Sequence, residues 1–88
     1  MAAERSEEFM NVIVAPQQEL IVVQWKHINT EDLLLFLKNK EGKIIQETTL
    51  SAGTTIAYFD TQALYSGEYE IQVTNGKESI THSLTLTK

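Results

Sequence analysis

Short stretches in which hydrophobic residues recur, often at every second position, are separated along the chain by polar turn residues, and this pattern predicts β-strands. The clearest stretch runs from Glu68 to Thr74, where Tyr69, Ile71 and Val73 alternate with polar side chains. Because successive side chains of a strand point to opposite faces, this stretch is predicted to be a half-buried antiparallel strand. Turn residues separate seven such stretches, at the spacing that is typical of a sandwich. The predicted strands cover residues 9–14, 19–26, 32–39, 43–50, 54–59, 68–74 and 78–87.

Two motifs border the clearest strand. Before it, Leu64, Gly67 and Tyr69 predict a structural corner like those from which immunoglobulin-like sandwiches enter a strand. After it, Asn75-Gly76 predicts a tight hairpin turn, since both residue types tolerate positive φ. The predicted fold is therefore all-β: an immunoglobulin-like antiparallel β-sandwich of about seven strands, formed by residues 9–88 after a flexible polar segment at residues 1–8.

The third predicted strand is hydrophobic on both faces. Leu33, Leu35 and Leu37 alternate with Leu34 and Phe36. Another part of the chain could cover the second face. Alternatively, this face is an apolar patch for a partner or for self-association, since small monomers rarely leave such patches exposed. On the second interpretation the candidate partner-binding residues are Leu34, Phe36 and Lys38.

Charge and composition exclude several kinds of partner. The net charge is −5, and nucleic acids and anionic membranes attract basic surfaces. No hydrophobic stretch has the length of a membrane span, so we expect no membrane insertion. Cysteine is absent, which excludes disulfides and thiolate metal sites.

No motif of an enzyme or of a cofactor site occurs in the sequence. There is no nucleophile elbow and no phosphate-binding glycine loop. Glu68 and Glu70 share one face of a strand, but their regular alternation with apolar residues favours a solvated surface. His27 and His82 lack the spacing of metal ligands. We therefore expect no catalysis, no cofactor and no metal.

The last predicted strand suggests a different function. A row of hydroxyl side chains lies on one of its faces, opposite the face that carries His82: Ser79, Thr81, Ser83, Thr85 and Thr87. Such a row could bind carbohydrate, although threonine is common on the solvent face of strands for its β-propensity alone. An adhesin-like or carbohydrate-binding module is thus the alternative function.

Several motifs together resemble a known family. They are Gly42-Lys43-Ile44-Ile45, the Leu-x-x-Gly-x-Tyr sequence of residues 64–69, Gly76, and the final Thr85-Leu86-Thr87-Lys88. Over residues 30–88 the chain resembles the C-terminal sorting domain of the type IX (Por) secretion system of Bacteroidetes, and also small exported immunoglobulin-like proteins of the same bacteria. The resemblance implies recognition by secretion machinery and no enzyme activity.

These observations predict a non-catalytic exported recognition or sorting module that acts through protein–protein contact. Its partner would be another protein or the secretion machinery, and a homo-oligomer is a further option. The expected location is the periplasm, the cell surface or the medium. The first eight residues lack the apolar core of a signal peptide, so a cytoplasmic location also stays open.

Overall fold

A computed structural model describes residues 9–27 and 29–87 as a two-layer β-sandwich. The predicted polar segment at residues 1–8 lies outside the described residues. A short 3-10 helix, Pro16–Gln18, connects the first two strands. The strands are β1 (Met10–Ala15), β2 (Leu20–Trp25), β3 (Leu33–Asn39), β4 (Ile44–Leu50), β5 (Ile56–Asp60), β6 (Gly67–Thr74) and β7 (Ser79–Leu86).

The strands form two antiparallel sheets. The three-stranded sheet has the order β1-β2-β5, and the four-stranded sheet has the order β4-β3-β6-β7. The chain passes from one sheet to the other after β2, after β4 and after β5, as in immunoglobulin-like sandwiches. The predicted fold class is confirmed, and each predicted strand lies within two residues of an observed one.

The core lies between the inward faces of the two sheets. Strand β2 contributes Ile21, Val23 and Trp25, and strand β3 contributes Leu33, Leu35 and Leu37. These residues alternate with outward side chains, because each face of a strand receives every second residue. The other buried hydrophobic residues are Met10, Leu50, Ala57, Phe59, Tyr69, Ile71, Val73 and Leu86.

One side chain joins the two sheets where the edge strands β4 and β5 meet. The Gln46 Nε2 group donates a hydrogen bond of 2.5 Å to the carbonyl oxygen of Asp60. The Asp60 N–H in turn donates to Gln46 Oε1 at 3.2 Å. The amide thus satisfies both backbone groups of one residue of β5, which would otherwise lack a partner at this sheet edge.

The predicted tight turn at Asn75-Gly76 is wrong in its geometry. Thr74 pairs with Ser79, so the loop between β6 and β7 has four residues, 75–78. Gly76 has a φ of 94°, but Glu19 is the one non-glycine residue with positive φ in the described ranges, so Asn75 does not adopt it. Asn75 acts through its side chain instead, because its Oδ1 accepts the N–H groups of Lys77 (2.8 Å) and Glu78 (2.9 Å).

Candidate functional site

The three predicted corner residues lie together where the chain enters β6. The Tyr69 hydroxyl donates a hydrogen bond of 2.7 Å to the carbonyl oxygen of Tyr65. Gly67 has a φ of 155°, a conformation that side chains strongly disfavour, and Leu64 packs against the core. This is the geometry of a tyrosine corner, in which a tyrosine at the start of a strand bonds to the backbone a few residues upstream. Its local role is to hold the connection between the two sheets.

The predicted partner-binding residues all lie on the outward face of β3. Leu34 is 39% exposed, while Phe36 and Lys38 are half-buried. Polar residues flank Leu34 and Phe36 in both directions, whereas the neighbour of Lys38 on β4 is Ile44, which is exposed. The row through Leu34 contains Thr49 and Thr74, and the row through Phe36 contains Glu47 and Gln72. The structure therefore brings the three residues together, but in a narrow apolar stripe with polar borders.

A broader apolar surface, which the sequence pattern alone does not predict, covers the outward face of the three-stranded sheet. Ile13, Val22 and Tyr58 lie side by side in one row across its three strands. Ile13 is 49% exposed and Tyr58 is 54% exposed, and Ile56 beside them is also exposed. The sequence held one signal of this face: residues 10–15 and 56–59 are mainly hydrophobic at both odd and even positions.

This surface is nearly free of charge. Its nine residues occupy three rows, and Asp60 at one corner is the one charged side chain among them. The complete set is Asn11, Ile13, Ala15, Leu20, Val22, Gln24, Ile56, Tyr58 and Asp60. We call it the outer apolar face. On a chain with a net charge of −5, such a surface can contact a partner without ion pairing.

The hydroxyl row of β7 lies beside the two glutamates of β6. Ser83 pairs with Glu70, and Thr85 pairs with Glu68. With Lys40 these residues border a shallow depression of about 330 Å³, whose one aromatic residue, Tyr69, is buried. This depression itself contains hydroxyl and carboxylate groups but no exposed aromatic ring on which a sugar could stack. The exposed ring of Tyr65 borders a second depression, which shares Lys40, Glu68 and Tyr69 with the first.

The two histidines do not form a metal site. The ring of His27 lies edge-on to Phe9, with 6.4 Å between the ring centres, and His82 lies opposite Ile71 on the inward face of β7. Within residues 9–27 and 29–87, no three histidine or acidic side chains cluster in a way that could hold a metal ion. The same residues contain no helix that is long and apolar enough to cross a membrane.

The Asp60 side chain binds local backbone just before the corner. Its Oδ1 accepts the N–H of Gln62 at 2.9 Å. This contact and the bond from the N–H of Leu64 to the carbonyl oxygen of Thr61 order the chain between β5 and the corner. Asp60 is thus a turn residue at the edge of the outer apolar face.

The two sheets and the tyrosine corner define the class of the protein, which is a small immunoglobulin-like β-sandwich. A comparison with protein families then gives the particular branch of that class. Residues 15–87 match the family described as secretion system C-terminal sorting domain, so the chain belongs to this family. The search among curated proteins found no match.

Membership of this family gives the general role of the chain. A sorting domain of the type IX system, which Bacteroidetes use, serves in targeting a protein for secretion. The protein that carries it is therefore a secreted or cell-surface protein. The family is one of sorting signals and not of catalytic domains.

Proposed function

We propose that the chain is a non-catalytic sorting module whose folded surface binds the secretion machinery through protein–protein contact. The observation that carries the proposal is the outer apolar face on a chain that belongs to a sorting-domain family. Large exposed apolar patches on small soluble domains mark sites of contact with other proteins. The tyrosine corner has a structural role in this function, because it orders the connection between β6 and β5, and β5 carries Ile56 and Tyr58 of the outer apolar face.

The outward face of β3 is the competing contact surface. The sequence predicts Leu34, Phe36 and Lys38 as partner-binding residues, and all three lie on this outward face. The outer apolar face is favoured over them because its exposed apolar side chains adjoin one another across three strands. Leu34 and Phe36, by contrast, are separated from other apolar residues by threonine, glutamate and glutamine.

The carbohydrate-binding alternative has less support. The hydroxyl row is present, but the glutamates beside it and the absence of an exposed ring in the adjoining depression do not favour a sugar. A glycan array with the purified chain tests this alternative. Specific binding that disappears in the Thr81→Ala/Thr85→Ala variant would support it.

An export assay tests the proposed function. A reporter with a periplasmic leader carries residues 1–88 at its C-terminal end, in a Bacteroidetes strain with an active type IX system and in a matched strain without the translocon. We expect reporter in the medium or on the cell surface of the first strain and in the periplasm of the second. Retention of the reporter in the periplasm of both strains would refute the sorting function.

Two matched double variants then locate the contact. Ile13→Ser/Tyr58→Ser removes apolar surface from the outer apolar face, and Leu34→Ser/Phe36→Ser removes it from β3. Thermal unfolding of each purified variant controls for loss of the fold. We expect the first variant to retain the reporter in the periplasm and the second to export it. The opposite result would assign the contact to Leu34, Phe36 and Lys38.

A further inference from the structure

The core of the sandwich is incompletely covered along one side. At the other side the edge strands β4 and β5 adjoin, and Gln46 joins them. At this side the three-stranded sheet ends at β1, while the four-stranded sheet extends one strand further, to β7. The inward aliphatic residues of β2, β3 and β6 are buried, but four on β1 and β7 are only half-buried: Val12, Val14, Ile80 and Leu84. We call this opening beside β1 the open seam.

The free backbone edge of β1 borders the open seam. The Lys26 N–H donates to the carbonyl oxygen of Phe9 at 2.8 Å, which fixes the residues of this strand pair that bond to each other. Because bonded and non-bonded pairs alternate along an antiparallel ladder, Met10, Val12 and Val14 direct their N–H and C=O groups away from β2. In the described ranges no other strand pairs with this side of β1. It is therefore a template for one more strand.

An extended segment beside β1 would close the open seam. It would bond to the backbone of β1 and lie over β7, so that its inward side chains cover Ile80 and Leu84. His82, between these two residues, has an interaction within the chain and is not needed for the contact. A strand added to the outer side of β7, by contrast, would have no strand of the opposite sheet over it. The half-buried side chains thus favour β1 as the edge that receives a segment.

A folded second copy of this chain cannot supply the segment. In an antiparallel pair of two β1 strands, the two-fold axis is perpendicular to the sheet, and both four-stranded sheets lie on the same side of it. The β7 strand of each copy would then need the space that β6 of the other copy occupies. A single extended segment of a partner protein has no second layer and avoids this clash.

The surroundings of the seam define the chemistry of the segment. Its inward side chains would meet aliphatic residues, and at one end an apolar depression of about 130 Å³ beside Phe9, Trp25 and Ile80 offers space for one of them. Its outward side chains would continue the outer apolar face, where Asp60 is the one charged residue. Inward apolar residues that alternate with uncharged outward ones fit both environments.

The size of the outer apolar face gives a further reason for an added strand. From a strand spacing of about 4.8 Å and a rise of about 3.4 Å per residue, its three strands and three rows cover about 300 Å². A stable complex buries about 800 Å² on each partner. The contact therefore needs adjoining surface, and the edge of β1 directly continues this face.

We propose that the secretion machinery places an extended segment of alternating apolar and uncharged residues beside β1, antiparallel to it. The segment bonds to Met10, Val12 and Val14 and packs on Ile80 and Leu84, so that both layers of the sandwich then have four strands. The identity of the partner rests on the proposed function, whereas the site itself follows from the open seam.

A short synthetic peptide tests the site. In it valine alternates with threonine, and a lysine at each end keeps it soluble. In an antiparallel pair, the peptide residues that bond to Val12 and Val14 lie opposite them and share their inward direction, so these residues are the valines. Methylation of the valine backbone nitrogens removes the donors to β1. Methylation of the threonine nitrogens removes only donors that point away from β1, and this peptide is therefore the matched control.

NMR titration of the full chain, with peptide up to about 1 mM, gives the result. We expect the unmodified peptide to bind, and the valine-methylated peptide to bind about tenfold or more weakly than the threonine-methylated one. Hydrogen exchange of the Val12 and Val14 N–H groups should slow when the peptide binds. The N–H groups of Ile56 and Tyr58 point away from β2 in the same way at the opposite edge of the sheet, and their exchange should not change.

Four results would overturn the proposal. Two are the absence of binding up to the highest concentration and equal binding of the two methylated peptides. The third is protection of Val12 and Val14 that rises with chain concentration in the absence of peptide, which would assign the edge to a second copy. The fourth is binding by a variant that lacks residues 1–8 but not by the full chain, which would assign the edge to that segment.

The export assay separates this inference from the proposed function. A reporter retained in the periplasm of both strains, together with a peptide that binds β1, would refute sorting and leave the open seam as a peptide site. A reporter that is exported, together with a peptide that does not bind, would overturn the strand addition alone.

Discussion

The hydrogen bond of the tyrosine corner should contribute measurably to stability, and Tyr69→Phe removes that bond alone. The change deletes the hydroxyl that donates to the Tyr65 carbonyl oxygen at 2.7 Å and leaves a ring that is 8% exposed. The packing of the ring is preserved, so the free energy of unfolding decreases only by the contribution of one neutral hydrogen bond. Such bonds contribute about 0.5–1.5 kcal/mol net.

The solvent exposure around the acceptor, the Tyr65 carbonyl oxygen, determines how much free energy of unfolding is lost within this range. The Tyr65 side chain is 86% exposed, so water reaches this part of the corner and can bind the freed carbonyl oxygen. A fully buried acceptor without a partner would add a desolvation penalty, which should be small at this site. We therefore expect a loss of about 1 kcal/mol, which lowers the melting temperature of a domain of this size by about 4–8 °C.

Urea unfolding followed by tryptophan fluorescence measures the effect, because Trp25 is buried in the core. The midpoint should decrease while the m-value stays the same, since the surface exposed on unfolding does not change. Tyr65→Phe is the matched control, as it removes the same atom from an exposed ring of the same corner. A Tyr69→Phe variant as stable as Tyr65→Phe would refute the role of this bond.

Two further changes test other parts of the fold. Gly67→Ala should cost about 2–3 kcal/mol in the free energy of unfolding, because its φ of 155° strains any side chain, although no atom lies within 4 Å of the added Cβ. Gly76→Ala should cost less, about 1 kcal/mol by the same urea assay, and equal losses in the two variants would count against the argument. Gln46→Leu should cost about 1–3 kcal/mol, because it removes both hydrogen bonds to Asp60. Gln24→Leu, an exposed residue on β2, should change the same midpoint little, and a similar loss in both variants would contradict a role for Gln46 in joining the sheets.

The strands could be predicted because their signal is local. In β6, every inward residue from Tyr69 to Val73 is hydrophobic, and every outward residue between them is polar. Asparagine and glycine at 75 and 76 also marked the correct place for a loop. The turn type could not be predicted from them, because the Asn75 side chain binds two N–H groups of a longer loop and its backbone does not need positive φ.

The contact surfaces were harder to predict than the strands. Hydrophobic residues on both faces of β3 suggested Leu34 and Phe36, but the polar residues of β4 and β6 that flank them are distant in sequence. The outer apolar face exists only because β1, β2 and β5 form one sheet, an order that no local pattern contains. Pairing between distant strands therefore decides which hydrophobic residues adjoin one another.

The order of the strands also has a consequence for the biogenesis of the domain. The central strands β2 and β3 each obtain their second partner late, since Ile21 pairs with Phe59 and Leu34 pairs with Thr74. Pairing between residues so far apart in sequence makes folding slow relative to that of domains with local contacts. As the ribosome synthesises the chain, the three-stranded sheet cannot be completed until β5 has emerged, and the four-stranded sheet cannot be completed until β7 has emerged. On the proposed function, the folded surface that the secretion machinery binds therefore appears only after most of the domain has been translated.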